Sequence, residues 1–241
     1  MKKATWIFTI IITVLHFQSC KENEITGEDK LNEKFLAIEK KVQEGDLNQE
    51  NFLDPFEEIH MDFLFNLAGL TQLSEYDTFQ QESELFVTLH DQKVLKSGNV
   101  VNNNKRILSK AEELLFNSYV RALRSNKLIS KIRITEHYIN EIQKLEYLHN
   151  ESKNYITYAI GFHRSLMIFV DIDNKEKNVT KKSASRKDWL PCASRECWDC
   201  CMFRWTQGMD NWNTVEWVRF LASPAVNTAW EAASCANDCF F

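Results

Sequence analysis

No proline interrupts the chain between Pro55 and Pro191, and the whole sequence holds only three prolines and six glycines. Proline and glycine are the residues that most disfavour a helix interior. A long proline-free stretch rich in Leu, Ile, Glu and Lys is therefore free to run as helix almost throughout. The apolar periodicity divides it. Thr26 and Asp29 form a capping box ahead of Leu31, Phe35, Ile38 and Val42, which step by four, three and four until Gly45 stops the helix. Asp54-Pro55 opens a second helix with Phe56, Ile59, Phe63, Leu67 and Leu70 inward. Ser74 and Asp77 cap a third, with Phe79, Phe86 and Leu89 facing the core. Ser97-Gly98 and Asn102-Asn103-Asn104 read as a loop. A fourth helix carries Ile107, Ala111, Leu114, Tyr119 and Leu123, and a fifth spans Leu128 to His149. The sixth, Tyr155 to Val170, is nearly free of charge and is expected at the bundle centre. The fold class is all-α: a bundle of about six helices over residues 27–172.

Residues 173–188 break the pattern. Lys175, Lys177, Lys181, Lys182, Arg186 and Lys187 face the single interior acid Glu176, which reads as a solvated basic linker or as a strip for anionic headgroups and acidic glycans. Residues 189–241 then form a small helical module holding six of the seven cysteines and six of the seven tryptophans. Cys197 and Cys201 are spaced i, i+4, as are Cys235 and Cys239. Two antiparallel helices would join Cys197 to Cys239 and Cys201 to Cys235, leaving Cys192 for Cys200 by elimination. The alternative is a zinc site prompted by Cys197-Trp198-Asp199-Cys200-Cys201. Asn213 with Glu216, and Ser223-Pro224, mark two further helix starts.

The remaining cysteine closes the other end of the chain. Lys2 and Lys3 precede an apolar run from Trp6 to Leu15 that is too short to span a bilayer and has the layout of a secretory signal. His16-Phe17-Gln18-Ser19-Cys20 resembles the lipobox of bacterial lipoproteins in its small residue before cysteine, although Phe17 and Gln18 depart from the usual pattern. The resemblance covers residues 1–24. It implies removal of residues 1–19 as a signal peptide, lipid on Cys20, a tether over 20–26 and anchoring in the cell envelope. Lys21-Glu22-Asn23-Glu24 is similar to tags that direct lipoproteins to the outer face of the outer membrane.

A formal net charge of −5 gives no support for nucleic-acid binding. One constellation could carry chemistry. Glu57 with His60, and Glu146 with His149, are two Glu-x-x-His pairs of the kind used by helical di-metal proteins, with Glu82, Glu84, Glu112 and Glu113 on intervening helices. Structural duties compete for them: Glu57 at the capping-box position after Asp54, and His149 at a helix C-terminus. His163 reads as a hydrogen-bonded core histidine. No glycine loop for phosphate and no Ser-His-Asp or Cys-His signature occurs, so no cofactor is expected. Trp198, Trp205, Trp212 and Trp217 form a candidate aromatic face for a protein or glycan partner. The leading expectation is a non-enzymatic, surface-exposed lipoprotein. The alternatives are a metal-binding bundle and an envelope structural protein.

Overall fold

The computed structural model of the chain describes residues 29–47, 54–72, 75–98, 108–125, 130–146, 148–178 and 195–240. Among them it contains nine α-helices, two single turns of 3-10 helix and no strand, so the fold is all-α. Helix α1, residues 29–44, ends where Gly45 takes φ +76°, a conformation that costs glycine no Cβ clash. Its stripe of Phe35, Ile38 and Val42 enters the core. Helix α2 (Glu57–Gly69) is prepared by Asp54, whose Oδ1 accepts the Phe56 N–H at 2.9 Å. Glu57 does not close a box with it, because its carboxylate reaches Arg164 at 3.1 Å instead.

Helix α3 (Tyr76–Lys96) starts after Glu75 without a side-chain cap. Ser74 lies outside the described residues, as do Thr26, Asn102, Asn103, Asn104, Ile107 and Leu128. The inward stripe of α3 is Phe79, Ser83, His90 and Val94. Leu89, expected inward, is 43 % exposed. The C-terminal helix packs along α3, so the inner face is set by two neighbours rather than by hydrophobicity alone.

Helix α4 (Lys110–Ser125) has a capping box that the sequence reading passed over. Glu112 Oε2 accepts the Ser109 N–H at 2.8 Å, and Ser109 Oγ accepts the Glu112 N–H at 3.3 Å. Helix α5 is Lys131–Gln143, six residues shorter at its end than expected. Its chain turns at Lys144, and His149 belongs to the connection that starts the next helix. Helix α6 (Asn150–Asn178) is the central element, packed against α2 and α5 and against the tail. It runs into the expected linker, so residues 173–178 are helical. Residues 179–194, with Lys181, Lys182, Arg186, Lys187, Trp189 and Cys192, lie outside the described residues.

The tail comprises α7 (Arg195–Gly208), α8 (Thr214–Ala222) and α9 (Pro224–Phe240). Asn213 and Glu216 form the expected capping box, and Pro224 takes the expected first helical position. Two disulfides staple α7 to α9: Cys197–Cys239 and Cys201–Cys235, with Cα separations of 5.8 and 5.7 Å. Cys200 is exposed and has no disulfide partner among the described residues, and Cys192, its expected partner, lies outside them.

The tail's hydrophobic core is not separate. α9 lies on α3, α8 on α4, and all three tail helices touch α6. Tyr155 Oη on α6 donates to the carbonyls of Leu221 and Ala222 at 3.2 and 2.9 Å. Phe162 and Phe220 meet edge to face across the junction. One continuous core results, because a module of about 50 residues has too little interior of its own and gains burial from its neighbour.

Candidate functional site

The two Glu-x-x-His pairs do not make one centre. Glu146 and His149 are exposed in the α5–α6 connection, off any helix face they could share. Glu112 is committed to the α4 cap, Glu113 lies 3.8 Å from Lys110, and Glu84 is exposed. Among the described residues no group of three or more His, Cys, Asp or Glu side chains converges as a metal set. The half of the motif on α2 has a different setting. His60 is fully buried, and its Nδ1 lies 3.0 Å from His90 Nε2. One of those two nitrogens must be a deprotonated acceptor, so the pair cannot carry two charges. Phe56, Phe63, Tyr158 and Phe162 surround it. Burial, and then the neighbouring His90, hold His60 well below the ordinary histidine range.

Arg164 on α6 ties the adjoining helices together. Its guanidinium contacts Glu57 on α2 at 3.1 Å and Glu136 on α5 at 2.9 Å. Beside it the Asp54 carboxyl presses on the backbone of Gly161, where an added Cβ would stand 2.5 Å from Oδ2. Burial raises Asp54 to about 6, outweighing the Phe56 N–H and the Arg164 charge that pull it down.

A second polar core crosses α4, α5 and α6. Thr135 Oγ1 donates to the Lys131 carbonyl at 2.7 Å, so it accepts from Tyr119 Oη at 2.9 Å. Tyr119 Oη therefore accepts from His163 Nδ1 at 2.7 Å. The chain of donors assigns the imidazole hydrogen to Nδ1 and leaves Nε2 as a bare acceptor. Burial, and then Lys131, push His163 down to about 3. The expectation of a hydrogen-bonded core histidine describes this residue.

The aromatic face divides. Trp198 and Trp217 are core residues at 1 % and 2 % exposure, and Trp198 Nε1 donates to the Ala232 carbonyl at 2.9 Å. Trp205 and Trp212 are half-buried and meet edge to face at 5.8 Å. They line a surface groove of about 420 Å³ with Trp230, which is 74 % exposed. Glu216, Arg219, Asn227 and Glu231 complete its polar wall. Burial, and then Asp238, raise the Glu231 carboxyl. Trp230 was absent from the predicted face, yet its position was readable. It lies about 140° round the helix from Cys235 at 100° per residue, away from the stapled side.

Compared with family models, curated proteins and solved structures, the chain matches none.

Proposed function

We propose that this chain is an exported, lipid-anchored protein of the cell envelope that binds glycan through the groove of Trp205, Trp212 and Trp230. The anchor rests on Lys2, Lys3, the apolar run and Ser19-Cys20, all outside the described residues. Thioether-linked acyl chains on Cys20 would hold the protein on a bilayer. No helix among the described residues is long and apolar enough to cross a membrane. The two α7–α9 bridges fit an oxidising compartment outside the cytoplasm.

The observation that carries the binding reading is Trp230. An indole three-quarters exposed is a poor use of so large an apolar side chain unless something covers it. Here it borders two further indoles, carboxylates on Glu216 and Glu231, and the Arg219 guanidinium. Sugar rings offer apolar C–H faces for indole and hydroxyls for carboxylate and guanidinium, so one ligand class uses every wall of the groove.

The test pairs affinity with location. Trp230→Ala is expected to weaken binding to an oligosaccharide array by about tenfold or more, since central aromatic anchors are worth about 2 kcal/mol. The melting temperature should stay unchanged. Cys20→Ala should lose palmitate label and leave the membrane fraction. Oligosaccharide binding that is indifferent to Trp230→Ala, or absent altogether, would remove the glycan reading. Label persisting in Cys20→Ala would remove the anchor.

A further inference from the structure

A second cavity lies on the other side of the tail, where it meets the bundle. About 290 Å³ in volume, it is walled by Leu123, Met167, Val170 and Phe203, with His163 and Trp217 also lining it. One polar atom there lacks the partner that buried groups normally have, and a second is left free to accept. Trp217 Nε1 is sealed from solvent and donates to nothing. The donor relay through Tyr119 and Thr135 uses the only hydrogen of the neutral His163 ring and leaves its Nε2 an acceptor. The two rings stand edge to face with centroids 4.9 Å apart, so both border the same part of the cavity. Lys131 and Asp210, also among the lining residues, pair with each other and cancel their charges.

We propose that this cavity binds a small uncharged molecule with a hydroxyl group on an apolar body. A hydroxyl supplies both absent functions, its hydrogen to His163 Nε2 and its oxygen to the Trp217 N–H, while the aliphatic and aromatic walls take the body. Charge is excluded by the surroundings. A carboxylate would compete with Asp210 for Lys131, an ammonium with Lys131 for Asp210, and the imidazole stays neutral because burial holds it so. Reaching the sealed indole needs only side-chain movement at the half-buried wall, where Met167 and Thr206 sit. The site is independent of the Trp230 groove and stands or falls without it.

Phenol, toluene and benzoate share one ring and separate these requirements. Dissociation constants for the full-length protein would come from ligand-observed NMR, with the indole N–H resonances followed alongside. Phenol is expected to bind saturably and to shift the resonance that Trp217→Phe removes. Toluene should bind about tenfold more weakly, because it leaves both polar atoms unpaired, and benzoate should be weaker than phenol at neutral pH. Trp217→Phe should bring phenol to within a few-fold of toluene. Equal constants for phenol and toluene would make the cavity a plain apolar void. Tighter benzoate would overturn the neutrality argument, and no saturable shift would assign the indole proton to a trapped water only. Should Trp217→Phe fail to fold, the wild-type phenol-to-toluene ratio decides the matter alone.

Discussion

Buried histidines and a buried carboxyl enter the pH dependence of stability with opposite signs. His60 and His163 have folded pKa values below the ordinary 6.5 of a free histidine, so the unfolded chain takes up protons that the folded chain refuses. Their contribution is complete above pH 6.5 and is lost as the pH falls below it. Asp54 acts the other way. Raised from 3.8 to about 6, it favours the folded state in acid and loses that contribution as the pH rises through 6. His137, also buried and lowered, adds to the histidine side, so the histidines outweigh Asp54 and stability falls on net between pH 6.5 and pH 5. Denaturant titrations at pH 5, 6 and 7 should show the midpoint falling with acid, and a flat profile would contradict the buried-histidine assignment. Gly161 belongs to the same corner. Its missing Cβ is what lets Asp54 lie on α6, a constraint that no local pattern around position 161 announces.

At the level of elements, local signals placed helices well and misjudged some of their ends. Gly45, Asn213 with Glu216, and Pro224 act as a sequence reader expects, because a cap or a positive φ is decided within four residues. The fifth helix shows where that logic stops. Its amphipathic pattern continues to His149, but the chain leaves the helix at Lys144 and starts α6 at Asn150. That turn separates Glu146 and His149 from any shared face, and the metal motif dissolves with it. Ser109 was legible but unread. Ser109→Ala should cost about 1 kcal/mol through the lost N-cap of α4, measurable as a drop in melting temperature. An unchanged melting temperature would mean the box does not hold the start of α4.

The molecule as a whole melts as one unit if its core is one. Six of the seven tryptophans lie in the tail region, so indole fluorescence reports α7 to α9, whereas far-ultraviolet circular dichroism is weighted toward the longer bundle. The two thermal transitions should coincide, because Tyr155, Phe162 and Trp217 bind tail and bundle into the same interior. Reduction removes about 4 kcal/mol through the outer bridge alone in the chain-entropy model, and the nested bridge adds a smaller amount. It should lower that single transition by roughly 10 °C. A tail that melts first, with the bundle's dichroism untouched, would mean that tail and bundle have separate cores.

By itself the sequence determined the helical class, the starts of α8 and α9, the stapled pairs Cys197–Cys239 and Cys201–Cys235, and the buried, hydrogen-bonded state of His163. Each follows from spacings of one to four residues or from a face repeated along one helix, and such information is carried within a single element. Tertiary structure alone decided which tryptophans are core, since Trp198 and Trp217 differ from Trp230 only in what packs over them. It also decided the pairing of His60 with His90 and the orphaned Trp217 N–H beside His163. Those juxtapositions depend on how far apart two helices lie and how each is rotated about its axis. Both are fixed by the summed packing of the whole interior, to which no short stretch of chain has access.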